Sequence, residues 1–357
     1  MGSKRTLVPV LGAMASASQA RTAVDLFTGT TRVAQEFKRR GIYVVATDIA
    51  TYSGVLSDCY IATDAGKVDI AELSSILERL NSLPGLPGYF TKTFCEDARY
   101  FHPKNGARVD AIREVLASEY ISHPMFPILL TSLMLAADRV DSTTGVQMAY
   151  LKSWAPRAHN DLSLRLPELL EGDGATVVGD AMNTVDQLSP VDLMYLDPPY
   201  NQHRYFTNYH IWETLVRGDE PEVYGIACKR VDSRDEETKS VFNKKREMPE
   251  AFASVLSRAR AKTLIVSYND ESWITADRMM TELRDAGHED VRLLAFDSKR
   301  YVGAQIGIYN PSGHKVGEVK KLRNIEYVFV AGPTDVVDAC IRSGTPHATP
   351  KEDATLF

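Results

Sequence analysis

The sequence predicts an α/β protein in which a Rossmann-like, mostly parallel sheet is interrupted by a helical insertion. Short apolar runs alternate with helical patterns over residues 23–48 and again from residue 176 onward, and this alternation is typical of βαβ units. Between these stretches, residues 61–171 lose the alternation and show helical patterns instead. Polar residues follow several of the apolar runs, and ligands bind where the strands end in open α/β sheets.

The first unit, residues 23–48, has the order strand, glycine turn, helix, strand and acid. Gly29 lets the backbone approach a ligand closely, and Asp48 can accept hydrogen bonds from the two hydroxyls of a ribose. A single glycine is more often an ordinary turn, but Asp25 before it and Asp48 after it favour a nucleoside ligand. The Gly-x-Gly-x-x-Gly pattern of NAD and FAD sites is absent from the sequence, so those cofactors are not favoured.

The most informative stretch is Asp197-Pro198-Pro199-Tyr200, which follows the buried strand predicted over residues 191–196. The prolines end the strand, and the Asp197 carboxylate and a proline carbonyl can together accept both hydrogens of an exocyclic amino group. Tyr200 can stack on the base that carries this amine. An Asp-Pro turn beside a core tyrosine is the structural alternative. The complete string favours chemistry on the amino group of a nucleobase.

Further polar strand ends are predicted at the same edge of the sheet. Gly179-Asp180-Ala181 follows the third strand, and Asp180 is either an acceptor for a base amino group or the N-cap of the next helix. Ser267 and Asn269 lie at the end of the fifth strand. The remaining strands are predicted over residues 262–267, 291–296 and 325–330, the last two as an antiparallel pair.

The inserted residues 61–171 are predicted to recognise nucleic acid. Aromatic and cationic side chains interleave between Tyr89 and Lys104, and such a mixture can stack on bases and contact phosphates. The same aromatic residues can instead form the core of the insertion, and both interpretations remain open. The charged residues 219–246 add candidate phosphate contacts, Arg230 among them. A formal net charge of −6 disfavours non-specific nucleic-acid binding but permits a local basic face.

Composition argues for a cytoplasmic protein with reduced thiols. The four cysteines lie far apart without a Cys-x-x-Cys pair, which argues against a disulfide framework and against zinc. No run of about 18 apolar residues is present, so no membrane span is expected. Residues 1–20 are interrupted by Pro9 and Gly12 and are predicted to be folded protein rather than a signal peptide. The tail from about Thr334 is polar and is predicted to be poorly ordered.

Together these strings resemble the D12 class of adenine-specific DNA methyltransferases, a Dam-like family, over almost the whole chain up to about residue 330. The most specific string is Asp197-Pro198-Pro199-Tyr200-Asn201, preceded by Tyr195-Leu196. The supporting strings are Gly2-Ser3-Lys4, Asp25-Leu26-Phe27-Thr28-Gly29-Thr30, Gly179-Asp180-Ala181, Ser267-Tyr268-Asn269 and Arg323-Asn324-x-Glu326-Tyr327. Their order, with the cofactor half before the insertion and the catalytic string after it, is similar to the α-type arrangement. The resemblance implies a class I methyltransferase sheet that uses S-adenosyl-L-methionine (AdoMet).

The resemblance also implies a role for each candidate site residue. Catalysis would use Asp197, Pro198, Pro199 and Tyr200 around a flipped adenine. AdoMet would be bound by Lys4, Asp25, Phe27, Gly29, Asp48, Asp180 and Ala181, and the target pocket would include Asn201, Ser267 and Asn269. No metal is implied. The chain departs from the family pattern at Thr31, where a second glycine is usual, and it lacks the aromatic residue that usually precedes Gly-Ser-Lys, which leaves open a start upstream of Met1.

The expected function is the transfer of a methyl group from AdoMet to the 6-amino group of adenine in double-stranded DNA. The enzyme would belong to a restriction-modification system with a separately acting endonuclease, or it would be an orphan methylase. Residues 1–60 and 172–333 would form the AdoMet-binding and catalytic domain, residues 61–171 the DNA target-recognition region, and residues 334–357 a polar tail. An RNA amino-methyltransferase and a catalytically inactive DNA-binding relative are the alternatives.

Overall fold

The structure is a computed structural model that describes residues 4–143, 145–199, 202, 204–299, 308–309, 315–317 and 323–348. Its α-helices are α1 Val8–Ala17, α2 Arg32–Arg39, α3 Thr51–Ser57, α4 Ile70–Ser82, α5 Tyr89–Thr91, α6 Pro103–Glu119, α7 Phe126–Arg139, α8 Ala181–Gln187, α9 Tyr205–Asn208, α10 His210–Arg217, α11 Met248–Arg258, α12 Ala276–Asp285 and α13 Thr334–Gly344. Its strands are β1 Thr22–Asp25, β2 Tyr43–Asp48, β3 Gly174–Val178, β4 Val191–Leu196, β5 Val223–Tyr224, β6 Lys229–Arg230, β7 Ala261–Asn269, β8 Asp290–Lys299, β9 Ile308–Tyr309, β10 Lys315–Gly317 and β11 Arg323–Gly332. Strand β4 has the predicted bounds, whereas β7, β8 and β11 are longer than predicted.

Seven strands of the described chain form one sheet, in the order β3-β2-β1-β4-β7-β11-β8. The strands from β3 to β7 in this order are mutually parallel, and β11 runs antiparallel to both β7 and β8. The chain moves outward from β1 through β2 to β3 and then returns to β4 on the other side, so the strand order reverses between β1 and β4. Ligands bind in the crevice at such a reversal in open α/β sheets. The predicted Rossmann-like fold class is therefore confirmed.

Both faces of the sheet are covered, which agrees with the apolar character of its central strands. Along β4, Leu193 and Tyr195 belong to one core layer, and Met194 and Leu196 belong to the other. The first layer includes α1, α2, α13 and the insertion, and the second includes α8, α11 and α12. Burial of each large apolar side chain contributes roughly 1.5–3 kcal/mol, so the sheet is a firm support for the loops at its carboxyl edge.

The insertion between β2 and β3 is mainly helical, and its aromatic residues form its own core. Phe90, Phe94, Tyr100 and Phe101 are all buried. Their rings contact one another edge-on or tilted, with centroids 5.1–6.4 Å apart. Rings packed in this way cannot stack on bases, so the interpretation of these residues as core is correct. The assignment of residues 61–171 to DNA target recognition stays a prediction.

The prediction of a poorly ordered tail from Thr334 is wrong for the part of the tail that the structure describes. Helix α13 packs against α1 and β8 there. Val337 and Cys340 are fully buried, and the Cys340 thiol donates to the carbonyl oxygen of Met14 at 3.4 Å. The apolar residues of this segment recur at three- and four-residue spacing, which places them on one face of a helix. The polar residues between them obscured that face in the sequence.

Replacing Val337 with alanine is expected to lower the free energy of unfolding by roughly 1–3 kcal/mol, because it leaves a cavity under α13. Chemical denaturation followed by circular dichroism measures this change. Val231→Ala is the control because Val231 is 38% exposed, and its effect should be less than about 0.5 kcal/mol. Equal losses in the two variants would contradict a stabilising role for α13.

Candidate active site

The carboxyl ends of the neighbouring strands β2, β1 and β4 bring three of the predicted site acids together. Strand β1 ends at Asp25, whose backbone pairs with Tyr195 of β4, and Asp197 follows directly after β4. Asp48 ends the neighbouring strand β2. The charges of Asp48 and Asp197 both act on Asp25, so the three carboxylates share one region of the carboxyl edge.

Asp197 is held in an ion-pair cluster with Lys4 and Glu326. The Lys4 ammonium lies 3.1 Å from Asp197 Oδ1 and 3.2 Å from Glu326 Oε2, and all three side chains are mostly buried. Burial raises the pKa of Asp197, the Lys4 charge lowers it, and the Glu326 charge raises it again. The sequence predicts Lys4 as a cofactor residue, whereas its ammonium contacts the predicted catalytic acid.

Glu326 is a member of this cluster that sequence reasoning did not assign. It lies on β11, which is far from Asp197 along the chain but joins the sheet beside β7. Its only signal in the sequence is its place in the family string Arg323-Asn324-x-Glu326-Tyr327. The contact with Lys4 follows from the pairing of the strands, which no local pattern specifies.

Asp25 is a buried carboxylate that is only half satisfied. Its Oδ2 accepts a hydrogen bond from the Thr28 hydroxyl at 2.9 Å, and its buried Oδ1 has no well-formed hydrogen bond within the described part of the chain. Burial is the main cause that raises the pKa of Asp25 to about 7; the charges of Asp197 and Asp48 act in the same direction, and hydrogen bonds from Thr28 and the Ala34 backbone oppose them. A buried acceptor without a partner is costly, so this oxygen is suited to a polar or cationic ligand group.

Asp48 and Gly29 are joined in one turn. The Gly29 N–H donates to Asp48 Oδ2 at 2.9 Å, and the Ala50 N–H donates to Oδ1 at 3.0 Å. Gly29 has a φ of 52°, and no described atom lies within 4 Å of the point where a β-carbon would stand. Burial raises the pKa of Asp48, while the two N–H groups lower it. Each carboxylate oxygen has a second lone pair, so Asp48 can still accept from a ligand.

The departure from the family pattern at Thr31 has a visible conformational consequence. Thr31 precedes α2 and has a φ of 61°, which is rare for a β-branched residue and easy for glycine. Its hydroxyl accepts a hydrogen bond from the Gln35 side chain at 2.7 Å. The backbone therefore keeps the conformation that a glycine would adopt, although threonine has replaced it.

Phe27, Asp180 and Ala181 complete the predicted cofactor set. The Phe27 ring meets the Phe242 ring edge-on, with centroids 5.0 Å apart. Asp180 is the N-cap of α8 and accepts from the Met182 N–H at 2.8 Å, and Ala181 is buried at the start of that helix. The N-cap role that the sequence left open is therefore real, and the second oxygen of Asp180 can still accept from a base.

The remaining described residues of the predicted catalytic set and of the predicted target pocket lie at the ends of β4 and β7. Ser267 is buried and accepts from the Tyr195 hydroxyl at 2.9 Å. Asn269 is also buried, and its side-chain oxygen accepts from the Glu271 N–H at 3.1 Å in the turn after β7. Pro198 is buried and Pro199 is partly buried beside Asp197. Tyr200 and Asn201 lie outside the described residues.

Arg230 is not available for a phosphate contact. Its side chain is 1% exposed, and its guanidinium lies 2.6 Å from Asp219 Oδ2 and 2.7 Å from Asp232 Oδ2. The carboxylates raise the pKa of Arg230 against the effect of burial. The interpretation of this residue as a candidate phosphate contact is therefore wrong, because an arginine that satisfies two carboxylates inside the fold is a structural residue.

The described ranges add neither a metal site nor a membrane-spanning helix. In those ranges, no group of three or more histidine, cysteine, aspartate or glutamate side chains is arranged to hold a metal ion. None of their helices combines the length and the apolar character that crossing a membrane requires.

A parallel sheet with acids at its switch point is typical of enzymes that bind a nucleoside-type cofactor, and the Asp-Pro-Pro turn beside it offers a second binding place. Over residues 1–281 the chain matches the D12 class N6 adenine-specific DNA methyltransferase family, and it belongs to this family. The predicted family and the predicted enzyme class, a DNA adenine methyltransferase, are therefore confirmed.

Individual relatives differ in how much of their length the chain covers. The chain is 31% identical to the type II methyltransferase M.NlaIII of Neisseria lactamica over 278 residues, which are 75% of this chain and 80% of that protein. It is 28% identical to M.CviAII of Paramecium bursaria Chlorella virus 1 over 278 residues, with 75% and 81% covered. It is 29% identical to M.FokI of Planomicrobium okeanokoites over 301 residues, but it spans only 46% of that protein.

Proposed function

We propose that this enzyme methylates the 6-amino group of a flipped adenine in double-stranded DNA with AdoMet as the methyl donor. The observation that supports this most strongly is the place of Asp197. It lies at the carboxyl end of β4, beside the acids that end β1 and β2, and Lys4 holds its carboxylate. A site of this form can bring an amino group and a nucleoside cofactor together.

The acids of the crevice fit AdoMet. Asp48 can accept from the ribose hydroxyls, and the buried Oδ1 of Asp25 can accept from the ammonium of the methionine part. Gly29 leaves its backbone open to a ligand, and Phe27 offers an apolar surface. Asp180 and Ala181 would meet the adenine of the cofactor. Because AdoMet is positively charged, it would favour the ionised form of the acids around it.

Catalysis in this proposal depends on alignment. AdoMet would supply a methyl group on a cationic sulfur, which would leave as a neutral thioether when the carbon–sulfur bond breaks. The ionised Asp197 and the Pro198 carbonyl hold the two hydrogens of the adenine amino group, which directs its lone pair toward the methyl carbon. Tyr200 stacks on the flipped base and returns about 1–3 kcal/mol of the flipping cost. When the nitrogen becomes cationic, Asp197 stabilises it until a proton leaves to solvent.

The biological setting that we propose is a restriction-modification system in the cytoplasm. Relatives named type II methyltransferase and modification methylase support this setting. A cognate endonuclease would act as a separate protein, and an orphan methylase is the alternative. Mapping methylated adenines in the DNA of an expressing host tests the proposal and gives the recognition sequence. Labelled methyl transfer to RNA but not to duplex DNA would contradict it.

Asp48→Ala is expected to raise the KM for AdoMet about 10–100-fold while kcat changes little. The reason is that the variant loses charge-assisted hydrogen bonds to the ribose, each of which contributes about 1.5–3 kcal/mol. Steady-state kinetics at saturating DNA measures both constants. Asp173→Ala is the control because Asp173 is an exposed carboxylate whose ion pair, with Lys67, is also exposed. An unchanged KM in Asp48→Ala would contradict the ribose assignment.

A further inference from the structure

Helix α10 carries a fully buried carboxylate that contacts the cofactor side of the protein. Glu213 is 0% exposed. Its Oε1 accepts from the Thr51 N–H at 3.3 Å, and its Oε2 accepts from the Tyr52 N–H at 3.2 Å. Arg217 lies 2.7 Å from Oε1 and balances the charge. A buried carboxylate is costly unless it is paired and hydrogen-bonded. The two N–H groups supply the hydrogen bonds to Glu213, and Arg217 supplies the opposite charge.

The two N–H groups that Glu213 binds belong to the turn that carries Asp48. The turn of residues 48–53 runs from the end of β2 into the first residues of α3; within it, the Ala50 N–H donates to Asp48 and the Ser53 hydroxyl donates to the Gly29 carbonyl at 2.6 Å. The charge of Glu213 also contributes to the raised pKa of Asp48, after burial as the main cause. Glu213 therefore contacts the segment that links the two predicted cofactor residues.

The helix that carries Glu213 is itself held in place by the insertion. Gln147 Oε1 accepts from the Ile211 N–H at 3.0 Å and from the Trp212 N–H at 3.3 Å. The Gln147 N–H donates to the Asn208 carbonyl at 2.8 Å. These bonds fix the first turn of α10, so the Glu213 carboxylate is a stationary acceptor for the turn of residues 48–53.

We propose that Glu213 is a positioning residue for the cofactor site. It holds the turn of residues 48–53 so that Asp48 and Gly29 present their polar groups to AdoMet. The inference rests on the proposed function, in which Asp48 binds the ribose. Nothing in the geometry requires Glu213 to touch AdoMet, and its effect is exerted through the Thr51 and Tyr52 backbone.

The test uses Glu213→Gln in the full chain. Glutamine keeps the volume, but its amide nitrogen donates rather than accepts, so either Thr51 or Tyr52 loses its partner. We expect the calorimetric Kd for AdoMet without DNA, and the KM for AdoMet, to rise about 5–30-fold while kcat stays within about twofold. Glu213→Ala should show a larger effect. If the alanine variant fails to fold, the glutamine variant alone decides the test.

Asp110→Asn is the matched control. The Asp110 carboxylate also accepts from backbone N–H groups, those of Gly88, Phe90 and Thr91, but in the insertion. We expect this variant to lose thermal stability and to keep the Kd for AdoMet. If Glu213→Gln and Asp110→Asn shift the Kd equally, the effect is general destabilisation and the proposal is overturned.

Comparing Asp48→Ala with Glu213→Gln distinguishes failure of the positioning role of Glu213 from failure of the proposed cofactor site. If Asp48→Ala raises the Kd for AdoMet and Glu213→Gln does not, the positioning role is overturned and the cofactor assignment stands. If neither variant changes the Kd, the cofactor assignment itself is overturned, and the positioning role with it.

Discussion

Asp197→Ala is expected to reduce the rate of methyl transfer by about 10²–10³-fold or more while AdoMet still binds. This magnitude is typical when a group that orients or stabilises the reacting atoms is removed. Alanine leaves one hydrogen of the adenine amino group without its acceptor, so the lone pair is no longer directed. Lys4 remains paired with Glu326 at 3.2 Å, so the variant leaves no buried charge without a partner.

Single-turnover methylation of duplex DNA measures the chemical step, and calorimetry measures AdoMet binding. The matched control is Asp192→Ala, because Asp192 lies at the other end of β4 and is also ion-paired, 2.7 Å from Lys262. A hydrogen bond from Lys262 and others from the Arg21 and Thr22 N–H groups hold the pKa of Asp192 at about 2. We expect the control to lose stability and to keep its single-turnover rate. Full activity of Asp197→Ala would end the proposed mechanism.

Lys4→Met is expected to move the acidic limb of the pH–rate profile to higher pH. Asp197 must be ionised to accept from the amine, so the rate is full above the pKa of Asp197 and falls as the pH drops through it. Burial and Glu326 raise this pKa, and Lys4 lowers it. Removing Lys4 therefore raises the pKa further. At pH values below the pKa of Asp197 in both proteins, each unit by which this pKa rises lowers the rate about tenfold.

Glu326→Gln is a control that should shift the pH–rate profile in the opposite direction. Removing the Glu326 charge lowers the pKa of Asp197, so the acidic limb should move to lower pH. Single-turnover rates at saturating AdoMet and DNA from about pH 5 to pH 9 would compare the three proteins. Asp25 and Tyr195 also interact with Asp197 and are unchanged in all of them. Superimposable profiles for Lys4→Met and the parent protein would contradict control of Asp197 by the cluster.

Most of the fold can be predicted from local patterns in the sequence. Alternating apolar runs and turn residues predict where the strands and helices of the sheet domain lie along the chain. The bounds of β4 agree with those that the sequence predicts. Gly218 ends α10 with a φ of 61°, a conformation that glycine adopts readily at the end of a helix. These features are set by residues within a few positions of one another, so they can be read without knowledge of distant contacts.

Burial was harder to predict. Phe90 and Phe94 resembled base-stacking residues in the sequence, and Arg230 resembled a phosphate contact, yet all three lie inside the fold. The polar composition of the tail from Thr334 predicts disorder, although one face of α13 is apolar. In each case the sequence shows the type of side chain, but whether that side chain points into the core or toward solvent depends on tertiary packing.

The sequence by itself determined the α/β class, the family and the presence of an Asp-Pro-Pro turn after a buried strand, because these depend on residue types at fixed spacing along the chain. Only the tertiary structure decided that Lys4 pairs with Asp197 and Glu326, and that Glu213 accepts hydrogen bonds from the Thr51 and Tyr52 N–H groups. Those contacts join residues from distant parts of the chain. Their formation depends on which strands become neighbours in the sheet, and that choice is made by the packing of the whole molecule.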